Sequence, residues 1–156
     1  MRGIFELALA ATSVFKRADD PPACATSVHM MVARGTDEPA GLGRIGAVVR
    51  NVTLSLEGSN YEAVDYPATY VDYTGSVGEA SDDFVNMITS YHKRCPGTPI
   101  ALLGFSQGAH ALMDAVCGTQ VAGFDMQPDL ASTFQSSSKL FVTRALVWTS
   151  RLTAVI

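Results

Sequence analysis

A chain of 156 residues that is 47% hydrophobic and only 17% charged holds enough apolar material for one packed domain, which excludes a disordered chain. Its 11 Lys+Arg against 15 Asp+Glu give a net charge of −4 with no basic stripe, so nucleic acid is not an expected partner. Every apolar run is shorter than a bilayer-spanning helix requires, so no membrane partner is expected either.

The N-terminus, "MRGIFELALAATSVFKRADDPPAC", sets Arg2 before a short apolar run ending in small residues, the pattern of a secretory signal peptide. Glu6 interrupts that run, and an ordinary N-terminal helix is the competing reading. Lys16-Arg17 offers a dibasic processing site, so residues 1–17 are assigned to a signal peptide and short propeptide, 18–138 to one domain, and 139–156 to a divergent tail. Asn51-Val52-Thr53 is an N-glycosylation sequon. The three cysteines, Cys24, Cys95 and Cys117, allow one disulfide and leave one thiol over. Together these features predict a secreted, extracellular protein.

"SVHMMVARG", from Ser27 to Gly35, is a compact apolar run suited to a buried strand. "GLGRIGAVVRNVTLSLEG" then places Ile45, Val48, Val49 and Val52 at helical spacing, and "NYEAVDYP" is a second short strand stopped by Pro67. A polar loop leads into a helix whose apolar stripe is Val77, Ala80, Phe84, Met87, Ile88 and Tyr91. Pro96-Gly97 breaks that helix, and "TPIALLGF" shows no polar alternation, as expected of a central parallel strand. The alternation of strands and helices predicts an α/β fold with a parallel sheet flanked by helices. After Cys117 the pattern is vague until "KLFVTRALVWTSRLTAVI", which is apolar enough for one more strand.

Between the third strand and the next helix stands Gly104-Phe105-Ser106-Gln107-Gly108, which fits G-x-S-x-G. A strand-to-helix turn this tight tolerates no side chain two residues before or after the serine, hence the two glycines. A helix beginning there directs its first N–H groups towards a developing oxyanion. The alternative is a strand–helix turn with an incidental serine.

"GFSQGAH", with "ARGTDEP" after the first strand (Ala33 to Pro39), "VDYPATY", and cysteines before the first strand and before the elbow strand, resembles the cutinase and acetylxylan esterase family of small α/β hydrolases. The resemblance runs from about Cys24 to Thr119. It implies a three-layer α/β-hydrolase-like sandwich in which Ser106 is the nucleophile. Thr36 would give backbone N–H and hydroxyl to the oxyanion hole, and the Gln107 backbone N–H would be the second donor. Thr36 is equally readable as a plain turn residue. The resemblance also implies a Cys24–Cys95 disulfide and no metal or organic cofactor.

The family places its acid and histidine after the serine, and here the pattern departs. His29 and His92 precede Ser106 and read as structural or surface residues. His110, the one histidine downstream, lies on the nucleophile's own helix, whose geometry directs a side chain back along that helix rather than over the exposed hydroxyl. Asp114, Asp125 and Asp129 lack the family's Gly-Asp-Pro context, and Cys117 lacks the later cysteine that the acetylxylan esterase branch supplies. The triad acid and histidine are therefore not identified. A truncated or frame-shifted C-terminus is expected, with the parallel sheet incomplete and its apolar edge open.

The function expected from the resemblance is hydrolysis of carboxylic esters in a plant cell-wall polyester or acetylated polysaccharide, by a monomer. Loss of a triad member costs on the order of 10⁴ to 10⁶ in rate, so an incomplete triad implies a nearly inactive enzyme. The alternative is a non-catalytic secreted binding protein on the same scaffold, for which the tyrosine-rich "YPATYVDY" (Tyr66 to Tyr73) would be a suitable surface.

Overall fold

Every residue of β1 (His29–Ala33) is buried, which is why its sequence carries no polar alternation. In the computed structural model, which describes residues 22–118 and 140–141, β1 lies between β2 (Asn60–Ala63) and β3 (Ile100–Gly104). A short β4 (Leu140–Phe141) pairs with the outer side of β3, and all the pairings are parallel. Residues 1–17, expected above to be a leader, lie outside the described residues, as do Asp125, Asp129, the thiol state of Cys117 and the segment beyond Phe141.

Successive residues of a strand point to opposite faces, and both faces of β1 are covered. Met31 and Ala33 join Ile100 and Leu102 under the long helix α2 (Tyr73–Arg94) and α3 (Gln107–Cys117). Met30 and Val32 join Ala101, Leu103 and Phe105 under α1 (Gly46–Ser55), so the fold is a helix–sheet–helix sandwich. Val77, Ala80, Phe84, Ile88 and Tyr91 of α2 are buried at the expected spacing, with Met87 partly buried beside them. On α1 the apolar stripe is narrower than the sequence suggests. Ile45 and Val49 are buried, whereas Val48 is 42% exposed because the single short helix offers only one face to the sheet.

Both ends of α2 are specified locally. The Asp72 carboxylate accepts the Gly75 N–H at 3.1 Å as an N-cap, and His92, Lys93 and Arg94 complement the partial negative charge of the last turn. Among the described residues no helix is long and apolar enough to cross a membrane.

The N-terminal ends of the strands are closed by the segment entering β1. Cys24 is disulfide-bonded to Cys95, the Ala25 N–H donates to the Tyr91 hydroxyl at 2.8 Å, and Thr98 Oγ1 donates to the Ala25 carbonyl at 2.9 Å. Next to this seam His29 is fully buried, stacked on Tyr91 at 3.7 Å, with Nδ1 2.6 Å from Asn60 Oδ1. It is a structural histidine, as its position on β1 predicts.

Burial holds the His29 pKa below its usual value, the Asn60 hydrogen bond opposing and Arg94 assisting, while Glu62 Oε2 stands 3.7 Å from Nε2. A histidine kept neutral by the fold binds a proton more readily when unfolded. Stability is therefore full above the unfolded pKa, about 6.5, and declines as pH falls from there towards the lower folded pKa. The melting temperature of the wild type is expected to fall between about pH 6.5 and 5 more steeply than that of His29→Gln. Parallel profiles for the two proteins would refute this assignment.

Candidate active site

The register His29↔Ile100 through Ala33↔Gly104 brings the C-terminal ends of β1 and β3 level with each other. Chain order reverses between these two strands, since β2 lies on one side of β1 and β3 on the other. Ligands of open α/β sheets bind in the crevice outside such a point. The loops that follow β1, β2 and β3 all emerge there, and they hold the residues singled out in the sequence.

Ser106 occupies the turn between β3 and α3, with φ 52° and ψ −115°, a conformation that non-glycine residues rarely adopt. Its side chain is exposed and makes no capping bond to its helix, so the hydroxyl stays available. The neighbouring glycines are required by close approach. A Cβ at Gly104 would lie 2.5 Å from the Gly108 carbonyl oxygen, and one at Gly108 would lie 2.5 Å from the Arg34 carbonyl oxygen. The elbow is thus pressed between the end of β1 and its own helix.

The first amides of α3 are arranged as a helix start demands. Gly108 N–H bonds to the Phe105 carbonyl at 3.0 Å, and those of Ala109 and His110 bond to the Ser106 carbonyl at 3.0 and 3.1 Å. The Gln107 N–H precedes them, at the position where a helix has no intrahelical acceptor to offer. Its side chain does not enter the crevice. It is fully buried, with Nε2 donating to the Thr69 carbonyl at 2.9 Å and Oε1 accepting from Ser76 Oγ at 3.4 Å.

Thr36 is half-buried in the turn after β1, where Glu38 N–H bonds to the Gly35 carbonyl at 3.3 Å. Gly35 abuts Phe105, since a Cβ there would meet the Phe105 ring at 2.7 Å. Thr36 is therefore a turn residue that stands beside the elbow, which leaves both readings of it compatible with the fold.

The scaffolding of that turn was not apparent from the sequence. Glu38 accepts from the Gly35 N–H at 2.7 Å through one carboxylate oxygen and from the Arg44 N–H at 3.2 Å through the other. Arg34, buried, donates Nε to the Glu38 carbonyl at 2.9 Å and Nη2 to the Tyr66 carbonyl, with its guanidinium over the Tyr66 ring at 4.8 Å. The Tyr66 hydroxyl donates to the Arg34 carbonyl, and burial, opposed by Arg34, pushes its pKa up to about 12. That hydroxyl keeps its proton at any ordinary pH. In the sequence, "ARG" closing a strand reads as an exposed cation and gave no hint of this pairing.

His110 lies one turn into α3, with Nδ1 3.2 Å from the Tyr73 hydroxyl and Nε2 3.8 Å from Asp114 Oδ1. His92 is half-buried near the end of α2. Among the described residues no group of His, Cys, Asp and Glu is placed to hold a metal ion.

The Cutinase family profile matches residues 24–141. Cutinase 11 of Verticillium dahliae is 33% identical over 99 residues, which cover 59% of this chain and 34% of that protein. Acetylxylan esterase 2 of Talaromyces purpureogenus is 32% identical over 99 residues, covering 59% of this chain and 42% of that protein. The catalytic core domain of acetyl xylan esterase from Trichoderma reesei superposes with a TM-score of 0.59 at 28% identity, over 66% of this chain and 57% of that one. This chain therefore spans less than half the length of the two curated relatives. With the profile running from the disulfide-bonded Cys24 through the elbow to β4, the chain belongs to the cutinase family.

Proposed function

We propose that this chain carries the nucleophile and oxyanion hole of a secreted serine carboxylic ester hydrolase acting on plant cell-wall esters, cutin or acetylated polysaccharide. The observation that carries the reading is Ser106 itself: exposed, held at φ 52° in a glycine-flanked elbow, with a hydroxyl that caps nothing. Ser106 Oγ attacks the ester carbonyl carbon, and the carbonyl oxygen, now negative, takes hydrogen bonds from the N–H groups of Gln107 and Thr36. Collapse of this tetrahedral intermediate expels the alcohol, and water then releases the acid from the acyl-serine. Relatives named for cutin and for acetylxylan support the substrate class equally.

The serine proton has to pass to a base, which in the triad arrangement is a histidine oriented by an acid. Neither partner is identified here. The place of His110 on α3, the helix that begins after Ser106, supports its exclusion from that role.

The test is covalent. Incubation with a nitrophenyl phosphonate is expected to add one phosphonyl group on Ser106, found by peptide mapping, and none on Ser106→Ala. Hydrolysis of nitrophenyl acetate is expected to be slow in the wild type, whose triad acid and histidine are not identified, and to fall to background in the same variant. Equal labelling and turnover in both proteins would end the hydrolase reading.

A second reading rests on Tyr70 and Val71, which are 74% and 97% exposed on the loop bordering the elbow. A non-catalytic polymer-binding protein would use such a surface. It would retain binding to insoluble xylan or cutin after Ser106→Ala, without phosphonate labelling of the wild type.

A further inference from the structure

We propose that the loop between β2 and α2 is a brace that sets the two oxyanion donors relative to each other, with the Gln107 side chain as its positioning residue. The inference rests on the assignment of Ser106, Thr36 and Gln107 above. It concerns a different part of the molecule, the segment from Val64 to Asp72.

The two donors lie on segments remote in sequence, one after β1 and one at the start of α3. Each is tied to the same short stretch of a third segment. Asp37, the residue after Thr36, donates its N–H to the Ala68 carbonyl at 2.6 Å. Gln107 donates Nε2 to the Thr69 carbonyl at 2.9 Å. These two acceptors are consecutive carbonyls on adjacent planar peptide units that share the Thr69 Cα, so the backbone of one residue, Thr69, spans the gap between the donor segments. Moving Thr36 relative to Gln107 requires breaking one of the two bonds or rotating the Thr69 backbone, whose N–H is itself bonded to Ser76 Oγ.

The brace is itself held. Thr69 N–H bonds to Ser76 Oγ at 3.3 Å, and Ser76 Oγ lies 3.4 Å from Gln107 Oε1, so Gln107, Thr69 and Ser76 form a closed ring of hydrogen bonds in a buried setting. Upstream, Tyr66 is locked to Arg34 by a carbonyl acceptor and a hydroxyl donor.

Backbone geometry points the same way. The described non-glycine residues with positive φ are Asp37 at 57°, Ala68 at 54° and Ser106 at 52°, one on each of the three segments. Residues are kept in this region only where their surroundings over-determine it, and such outliers gather at functional sites. Two of the three exchange the Asp37–Ala68 bond.

Gln107 suits this task by its chemistry. A buried side chain that must donate to a carbonyl and accept from a hydroxyl needs both halves of an amide. Glutamate of the same shape loses the donor when ionised, and methionine loses both. A glutamine that merely satisfied its own amide would leave Asp37 unaffected by its replacement.

The experiment uses the full chain and three variants, Gln107→Glu, Gln107→Met and Ser76→Ala, with the thermal midpoint recorded for each. Two quantities are read: the rate of phosphonate labelling at Ser106, and deuterium uptake in a peptide covering residues 35–39. At pH 7.5 Gln107→Glu and Gln107→Met are expected to label on the order of 10- to 100-fold more slowly, a fraction of the loss seen when an oxyanion donor is deleted. Uptake at 35–39 is expected to quicken in both, and in Ser76→Ala to a smaller extent. As pH falls towards 5, the Gln107→Glu rate, taken relative to wild type at the same pH, is expected to recover as the carboxyl regains a proton to donate, while Gln107→Met does not.

Folded variants that label at the wild-type rate would overturn the proposal. So would slowed labelling with unchanged uptake at 35–39, which confines the effect to Gln107. If Gln107→Glu does not fold, Ser76→Ala decides by the same two readings. A wild type that resists labelling would show that no base reaches Ser106, and uptake at 35–39 would then decide: unchanged uptake in the folded variants would overturn the brace.

Discussion

Gly108→Ala is expected to abolish phosphonate labelling of Ser106 and to lower the melting temperature by about 10 °C or more, from a destabilisation on the order of 3 kcal/mol. The added Cβ would lie 2.5 Å from the Arg34 carbonyl oxygen and 2.7 Å from the Ala33 carbonyl carbon. Both are backbone atoms at the end of the central strand, so no rotamer change relieves the clash. Either α3 retreats, which carries the Ser106 turn with it, or β1 shifts and breaks its register with β3. Each route also moves Arg34, whose carbonyl accepts the Tyr66 hydroxyl and whose side chain holds the turn containing Thr36.

The same substitution elsewhere serves as the control. A Cβ at Gly78, in the middle of α2, would meet nothing within 4 Å. Gly78→Ala should stabilise the protein by about 0.5–1 kcal/mol through helix propensity alone. Differential scanning calorimetry of the two variants gives the comparison. Similar midpoints for both would show that the elbow is not pressed against β1 as described.

The double variant Cys24→Ala/Cys95→Ala is expected to lose stability without losing site chemistry. The bridge joins residues 71 apart in sequence, and in the chain-entropy account closing such a loop contributes about 4 kcal/mol. Domains of this kind have about 5–15 kcal/mol in total, so the loss is large. Yet the bridge lies where the strands begin, near His29 and Tyr91, whereas the elbow stands where they end. The urea midpoint should fall substantially, while the labelling rate of Ser106 under folding conditions stays within about twofold of wild type, as expected for well-separated sites. An unchanged midpoint would mean that the hydrogen bonds of Ala25 and Thr98 hold the N-terminal segment unaided. A labelling rate that fell with the midpoint would mean that the two ends of the sheet are coupled.

Much of this arrangement is written locally. The α/β alternation, the stripe of α2 and the serine elbow follow from the spacing of apolar residues and from two glycines around Ser106, because strand and helix periodicity are properties of ten or twenty consecutive residues. The Cys24–Cys95 pairing came from the family resemblance rather than from spacing. Val48 marks the limit of periodicity. It occupies a helical position among apolar neighbours, yet which face of α1 meets the sheet depends on a packing angle no local window contains.

The surroundings of Ser106 were decided by tertiary structure. Nothing in "ARGTDEP" alone says that Arg34 is buried against Tyr66, 32 residues away, or that Glu38 uses both carboxylate oxygens to hold a turn. Nothing in "GFSQGAH" says that the Gln107 side chain turns under the loop at Thr69, 38 residues back. The Arg34–Tyr66 contact exists because β1 pairs with β2, and the Gln107–Thr69 contact because β1 pairs with both β2 and β3; a one-residue slip of either register would separate residues that now meet. The sequence by itself determined which residue presents a hydroxyl. The sheet register decided what surrounds it, because hydrogen bonds between loops require the loops to emerge at the same height.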